Sequence, residues 1–271
     1  ILRARPRPGA RAMMRIVLTD EAEALDMVPE LLADPVVQPS AIEFIDKVSL
    51  AETIKLQRIS SFDENDTLLF VEIDGSDDSS FETRLTRIEQ IAERCVGNPE
   101  DLRLTKGLDE KSIGEIWKIR KQIPWALKRH NAALTAEDVV VPIGRSRELL
   151  SAIRELSTRF EVLIPVFGHA GDGNYHASPM KPEGLSSEEW IDYLHRLLTE
   201  LYKKTAELGG TISGEHGIGH KRAGFLPLVL DETQLRSALE SDPDGVERLL
   251  IGSADDDADG LVDTVHAVLE D

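Results

Sequence analysis

The sequence predicts an α+β fold, with ferredoxin-like split units on an antiparallel sheet and helices packed on one face. Strand and helix patterns in the first part of the chain follow the order β-α-β-β-α-β, which is typical of a split unit. Strand and helix patterns return after the middle of the chain and form a second α+β unit. A length of 271 residues suffices for one large domain or two small ones.

Short apolar runs predict the four strands of the first unit, at residues 12–18, 41–46, 67–73 and 101–105. Asp20 can cap the helix after the first strand, with Glu23 three residues later as in a capping box. The apolar face of that helix consists of Ala24, Leu25, Val28, Leu31 and Leu32. A second helix at residues 81–96 follows a turn at residues 74–80, and a looser segment at residues 50–61 can carry another.

A long helix from about residue 109 to residue 128 opens the second half, with apolar residues at helical spacing. Pro124 lies inside this pattern and is expected to kink the helix or to end part of it. The following elements are strands at residues 139–143, 162–167 and 174–180 and helices at residues 145–160 and 186–208. We predict that this second unit contributes to the same site as the first.

Composition excludes several classes of function. Acidic residues outnumber basic ones by 50 to 31, and the resulting net charge of −19 argues against nucleic-acid binding, which needs a basic surface. The single cysteine, Cys95, allows no disulfide within the chain and favours a reducing compartment. No apolar run approaches the roughly 20 residues of a membrane span. We therefore expect a cytoplasmic protein, with peripheral membrane association left open.

Two glycine-rich motifs carry the candidate chemistry: GHAGDGNYH at residues 168–176 and SGEHGIG at residues 213–219. Glycine allows positive φ angles and the close approach of a ligand. Such stretches are also ordinary polar turns. However, four of the seven histidines fall in or beside these two motifs, and this clustering favours a site.

We predict that His169, His176 and Glu215 bind one divalent ion, zinc or manganese, and leave a position open for a substrate. The two histidines flank a tight turn, so a hairpin brings their rings together. Adjacent residues on an extended loop point to opposite sides, so His216 should stay unligated and available for proton transfer. Asp172 and Asn174 could orient the ligands.

The same motifs, in the same order, resemble the C-terminal domain of FAD-linked oxidases of the vanillyl-alcohol oxidase type. The most similar groups are D-lactate dehydrogenases, the glycolate oxidase flavin subunit and D-2-hydroxyglutarate dehydrogenases. The resemblance extends to IWKIR at residues 116–120 and to EDVVVP at residues 137–142. It implies such a domain at residues 1–230 and a divergent acidic tail at residues 231–271. The family's FAD-binding domain is N-terminal and is expected to be absent from this chain, which alone would be inactive.

The resemblance implies flavin-dependent oxidation of a D-2-hydroxy acid to the 2-oxo acid. It assigns Arg120 to binding of the substrate carboxylate, which suits the donor fork of arginine. Asn174 and Ser178 are also assigned to the substrate, and Gly214 and Gly217 to cofactor contact. His216 would take the hydroxyl proton. The α-hydrogen would pass to FAD as hydride, and an electron acceptor or an iron-sulfur partner would then reoxidise the flavin.

Three positions depart from the hydroxyglutarate group and favour a short monocarboxylate such as D-lactate or glycolate. That group carries a threonine at the position of Pro124, a lysine near Ala136 and an asparagine where Ser178 stands. Two other functions remain open from the residues alone. The same His-His-Glu set could serve a flavin-independent metal hydrolase, or the chain could be a non-catalytic domain that binds a partner.

Overall fold

The computed structural model describes residues 8–57, 61–131, 133–228, 237, 240–243, 252–253 and 258–259. The chain divides into two compact units, Ile1–Phe225 and Leu226–Asp271. In the described part of the second unit, two short strands pair antiparallel, Gly252–Ser253 with Ala258–Asp259. Most of the predicted acidic tail, residues 231–271, lies outside the described residues.

The first unit is built on one antiparallel sheet of seven described strands. They are β1 (Ala10–Leu18), β2 (Ala41–Ile45), β3 (Thr67–Gly75), β4 (Arg103–Gly107), β5 (Glu137–Val140), β6 (Val166–His169) and β7 (Asn174–Ala177). Their order across the sheet is β4-β1-β3-β2-β6-β7-β5, and every pairing between neighbours is antiparallel. The α+β class and the antiparallel sheet are confirmed.

Seven α-helices accompany the sheet in the described residues. They are α1 (Glu21–Ala33), α2 (Lys47–Gln57), α3 (Phe81–Cys95), α4 (Glu110–His130), α5 (Ser146–Arg159), α6 (Ser187–Glu207) and α7 (Gly219–Ala223). The side chain of Asp20 accepts hydrogen bonds from two amides of the first turn of α1, as predicted. Glu23 does not complete the capping box, because its carboxylate accepts the amide of Gly97 at 2.9 Å.

The helices cover both faces of the sheet, where one covered face was expected. On one face, Met13 and Phe70 join a core cluster with residues of α2 and α4. On the other face, Phe44 of β2 lines a small cavity together with Leu25 of α1 and Ile153 of α5. The physical reason lies in the strands, which read as continuous apolar runs instead of alternating ones. Strands buried on both sides require this pattern.

Two prolines, Pro124 in α4 and Pro165 before β6, bear on where this helix and this strand begin and end. The sequence predicts that Pro124 kinks α4 or ends part of it; the helix continues to His130, so it does not end there, and a kink stays a prediction. Neighbouring apolar residues of α4, such as Ile123 and Leu127, are buried in the core and hold the turn in place. Strand β6 starts after Pro165, four residues later than predicted, and it includes His169. Proline has no amide hydrogen to donate to a sheet.

Candidate functional site

The candidate site lies on one face of the sheet, across the four neighbouring strands β2, β6, β7 and β5. Glu43 pairs with His169, Phe167 pairs with His176, and Asp138 also pairs with His176. Residues directly opposite each other on antiparallel strands project to the same face. Strand register alone therefore gathers two carboxylates and two imidazoles, although they come from distant parts of the chain.

His169 lies between two carboxylates. Its Nε2 atom is 3.2 Å from Oε1 of Glu215, which belongs to the second glycine-rich motif. Its Nδ1 atom contacts the carboxylate of the buried Glu43. The hydrogen bond with Glu43 raises the pKa of His169 above its usual value, against the opposing effect of burial. The contact assigns the Nδ1 position to Glu43 and directs Nε2 toward Glu215.

His176 is the buried member of the pair, with 7% of its surface exposed. Its ring stacks on the ring of His216, with centroids 5.4 Å apart, and meets the ring of His169 edge-on at 5.8 Å. Burial, aided by the positive charge of Arg120, lowers the pKa of His176 to about 4. Its Nδ1 atom is buried and has no hydrogen-bond partner among the described residues. A neutral imidazole with an unused nitrogen fits a metal ligand.

The three predicted metal ligands do come together. His169, His176 and Glu215 each offer one ligand atom, and these atoms all lie within 4.8 Å of one another. Ligands that each lie about 2.1 Å from one ion are at most about 4.2 Å apart, so small movements of the side chains would suffice. The residues therefore fit a divalent ion, and the ligation itself stays a prediction.

An open cleft of about 320 Å³ gives access to this cluster. Its walls include Ile42 and Glu43 of β2, Asp172 of the first motif and Glu215 of the second. Glu215 and His216 are both exposed. A small molecule that entered the cleft would meet the side of the cluster that carries His169 and Glu215.

Arg120 of α4 reaches the same face from above. Its Nε atom donates a hydrogen bond of 2.6 Å to Glu43, and its guanidinium lies over the ring of Phe167, 4.7 Å from the centroid. Glu43 thus connects the predicted substrate-binding arginine to the predicted metal ligand His169. The sequence reasoning missed Glu43. The available signal was an acidic residue in the middle of the apolar run at residues 41–46.

Asp138 holds the second motif against the sheet. One oxygen of its carboxylate accepts the backbone amides of Gly214, Glu215 and His216, at 2.9, 2.8 and 2.8 Å. The same oxygen accepts the hydroxyl of Ser213 at 3.2 Å. Burial alone would raise the pKa of Asp138, but the hydrogen bonds from these three amides and from the side chain of Asn174 hold it well below its usual value. Sequence reasoning placed this residue in a motif but gave it no role.

The remaining predicted residues lie around this anchor. Asn174 donates from Nδ2 to the other oxygen of Asp138 at 2.9 Å, and Ser178 is buried at the end of β7. A Cβ atom on Gly214 would come within 1.9 Å of Nδ2 of Asn174, so close approach to the sheet requires glycine there. Gly217 has a φ angle of +71°, which also favours glycine. Substrate contact at Asn174 and Ser178 and cofactor contact at the two glycines stay predictions.

A second set of buried charges ties the chain after the motif to the same strand. Glu137 accepts the hydroxyl of Tyr202 and forms an ion pair with Arg222, Nε to Oε2, at 3.4 Å. Arg222 also donates to the carbonyl of Gly217 at 3.0 Å. Two consecutive acidic residues of β5 therefore hold both ends of the segment that carries Glu215 and His216.

Comparison with known proteins connects this geometry to a family. The profile of "FAD linked oxidases, C-terminal domain" matches residues 7–238. The chain is 26% identical over 230 residues to the glycolate oxidase subunit GlcD of Bacillus subtilis, covering 85% of this chain and 47% of that protein. It is 25% identical to a D-lactate dehydrogenase of Anaerostipes hadrus, covering 84% and 49%. The chain thus spans about half the length of these curated relatives.

Solved structures of low sequence identity share the fold. A 4-ethylphenol oxidase from Gulosibacter chungangensis superposes with a TM-score of 0.58 at 12% identity, covering 89% of this chain and 53% of that one. A p-cresol methylhydroxylase superposes with a TM-score of 0.60 at 11% identity, covering 88% and 52%. Among the described helices, none combines the length and the apolar character that crossing a membrane requires.

Proposed function

The chain belongs to the family of C-terminal domains of FAD-linked oxidases, and on this premise we propose that it forms the substrate-binding part of an enzyme that oxidises a D-2-hydroxy acid to the 2-oxo acid. The observation that carries the proposal is the convergence of His169, His176 and Glu215, with His216 and Arg120 beside them, on one face of the sheet. This set contains a candidate ion site, a base and a carboxylate-binding cation.

A short substrate, D-lactate or glycolate, is the specific proposal. The names of two relatives, a glycolate oxidase subunit and a D-lactate dehydrogenase, support it. The residues that would read a second carboxylate are missing at Pro124 and near Ala136. A hydrophobic or neutral position there leaves a distal carboxylate without a charged partner, which disfavours a dicarboxylate.

His169, His176 and Glu215 would hold the divalent ion, zinc or manganese. When bound, such an ion supplies a Lewis acid that lowers the pKa of a coordinated hydroxyl group. Burial keeps His176 neutral near pH 7, since its pKa is lowered to about 4. The contact of Glu43 with Nδ1 of His169 leaves Nε2 as the ligand atom.

His216 would take the proton of the substrate hydroxyl. Its ring is exposed and stacks on the buried ring of His176, which places it next to the ion site. An imidazole nitrogen can act as a general base toward a hydroxyl group within hydrogen-bond distance. FAD, bound mainly by a domain N-terminal to this one, would supply the hydride acceptor.

Arg120 would bind the substrate carboxylate through its two Nη groups, because Glu43 takes the Nε–H. The guanidinium lies over the ring of Phe167 and donates to Glu43, so its place is set before a ligand arrives. A carboxylate and a hydroxyl on adjacent carbons could then reach Arg120 and the ion together. A cytoplasmic location and reoxidation by an electron-acceptor protein or iron-sulfur partner complete the proposal.

The test uses the full-length protein purified with FAD. We expect a flavin absorbance band that bleaches on addition of D-lactate or glycolate, and reduction of an acceptor dye with the same substrate. D-2-Hydroxyglutarate should react more slowly, and the L-acids provide the stereochemical control. Absence of flavin together with hydrolysis of an ester or amide substrate would instead establish the metal hydrolase. A flavoprotein that no 2-hydroxy acid reduces would overturn the proposal.

A further inference from the structure

In the loop that carries Glu215 and His216, the backbone of residues 214–216 is held by one carboxylate, that of Asp138. Both residues are exposed. The loop also contacts β5 through isolated bridges at Thr211 and Ser213 and, at its far end, through Arg222, which donates to the carbonyl of Gly217 and pairs with Glu137. The amides of residues 214, 215 and 216 all point to one oxygen of Asp138. Three successive amides around one oxygen form an anion-binding concavity, here filled from within the protein.

We propose that Asp138 is a positioning residue: it sets the places of Glu215 and His216 relative to His169 and His176 by binding the backbone between them. The proposal rests on the function proposed above, since it gives the loop a consequence for metal binding and proton transfer. We place Asp138 outside the ligand set, because one of its oxygens accepts the amides of the loop and the other accepts Nδ2 of Asn174, although its buried carboxylate also lies within 4.8 Å of ligand atoms of His176 and His216.

Geometry explains why a carboxylate is suited to this position. Asp138 pairs directly with His176 across the β5–β7 ladder, so its side chain starts beside a predicted ligand. It then reaches the loop that supplies the third ligand and the base. A single residue of a strand therefore fixes the position of the loop with Glu215 and His216 relative to His176 on the sheet. The side chain of asparagine would be a poorer partner there. It would offer the backbone amides of residues 214–216 either its NH2 group, which cannot accept, or an uncharged oxygen, which accepts more weakly.

The decisive variant is Asp138→Asn in the full-length protein with FAD. We expect the amides of residues 214–216 to exchange with deuterium about tenfold faster, since each loses a charge-assisted hydrogen bond. We also expect zinc affinity and kcat to fall about 10- to 100-fold, as is typical when a partner of a ligand is lost. The KM for the hydroxy acid should change less, because Arg120 is held by Glu43 and not by Asp138.

Asp66→Asn is the matched control. Asp66 is also buried, accepts the backbone amide of Asp63 at 2.7 Å and pairs with Arg103, but it lies beside β3, away from the loop. It should lower thermal stability without faster exchange at residues 214–216 and without loss of zinc affinity. If Asp138→Asn does not fold, Ser213→Ala replaces it as the test. This variant removes only the hydroxyl hydrogen bond to Asp138, and we expect a smaller increase in exchange and a smaller loss of zinc affinity.

Each outcome decides the question. Unchanged exchange at residues 214–216 in Asp138→Asn would show that Asp138 does not hold the loop. Faster exchange with unchanged zinc affinity and kcat would show that holding the loop does not position the site. Equal losses in Asp66→Asn would reduce the effect to general stability. If the wild-type protein oxidises no 2-hydroxy acid, the proposed function fails, whereas the exchange and zinc measurements still judge Asp138.

Discussion

Two halves of one sheet face differ sharply in chemistry. The apolar half, on β1 and β3, presents Met13, Val17, Leu68 and Phe70, which pack with α2 and α4 into the core. The polar half, on β2, β6, β7 and β5, presents Glu43, His169, His176 and Asp138 at corresponding positions. Helix α4 spans both halves, with Ile116 over the first and Arg120 over the second. The side chains that form the core and those that form the candidate site therefore lie on different strands of the same sheet face, and α4 packs on both groups.

The polar half remains compatible with folding because its buried charges have partners. Glu43 is shared by Arg120 and His169, and Asp138 is surrounded by amides. An isolated buried carboxylate would cost several kcal/mol, and removing one partner leaves the other uncompensated. The comparison predicts that substitutions in the polar half act chiefly on binding and rate, with a cost in stability where a buried charge loses its partner, and that those in the apolar half act on stability alone.

The largest effect is expected for His176→Ala. Loss of a ligand should abolish metal content and reduce kcat/KM on the order of 10³-fold, equivalent to several kcal/mol of Lewis-acid stabilisation. The fold should be retained at some cost in stability, because the ring is buried against Phe167 and His216 but lies outside the core cluster of α2 and α4. Metal analysis and circular dichroism of the same sample check both parts. Retained activity in this variant would eliminate the ligand assignment even though the family is established.

Met13→Ala is the reciprocal change in the apolar half. Met13 is fully buried in the core cluster. Its truncation should lower the free energy of unfolding by about 2–5 kcal/mol. Metal content and KM should match the wild type at temperatures where the variant is folded. Urea titration and metal analysis test this pair of outcomes, and loss of metal from a folded Met13→Ala protein would break the separation between the halves.

The two site histidines should oppose each other in the pH dependence of stability of the metal-free protein. The folded pKa of His176 is about 4, against 6.5 for an ordinary histidine. Between about pH 6.5 and pH 4, His176 is therefore protonated in the unfolded chain but not in the folded chain. The free energy of unfolding falls by up to about 3 kcal/mol as the pH decreases through this range. His169 has a raised pKa, so its contribution is present at low pH and is lost as pH rises through that value.

Urea unfolding of chelator-treated wild type and His176→Gln across pH 4.5 to 7.5 measures the first of these contributions. The wild type should lose stability toward acid more steeply than the variant. Parallel curves for the two proteins would mean that His176 titrates normally in the folded state.

The smallest of these effects is expected for Glu43→Gln. The change keeps the shape and removes the charge that holds His169 and Arg120. Metal affinity should fall about 10- to 100-fold, and KM should rise with it. Glu72→Gln is the control, because Glu72 lies on the same face and accepts the indole N–H of Trp117 on the same helix at 2.8 Å, within the apolar half. Equal effects of the two substitutions would contradict a special role for Glu43.

Much of this arrangement could be predicted from the sequence, and the missing parts share one cause. The strands and helices follow from local periodicity, and the glycine-rich motifs identified His169, His176, Glu215 and His216. Glu43 and Asp138 were missed because their partners are distant: Glu43 is 126 residues from His169, and Asp138 is 78 residues from His216. Only the tertiary fold, through the strand register for Glu43 and the docked loop for Asp138, shows that such residues meet.

The same limitation explains the second covered face of the sheet. Continuous apolar strands such as residues 67–73 indicate burial on both sides, but the pattern does not say which helix covers which side. That assignment depends on the order of the strands in the sheet, where β2 lies between β3 and β6. Sequence order alone does not determine this placement.

The most direct test of the account is a crystal structure of the full-length protein with FAD, soaked with manganese or zinc and a 2-hydroxy acid, with anomalous scattering to locate the ion. The account predicts one ion, with His169, His176 and Glu215 at about 2.0–2.2 Å if it is zinc. The imidazole of His216 should be unligated and within hydrogen-bond distance of the substrate hydroxyl. An ion bound by His216, or a cluster that takes up no ion while the substrate is bound, would contradict it.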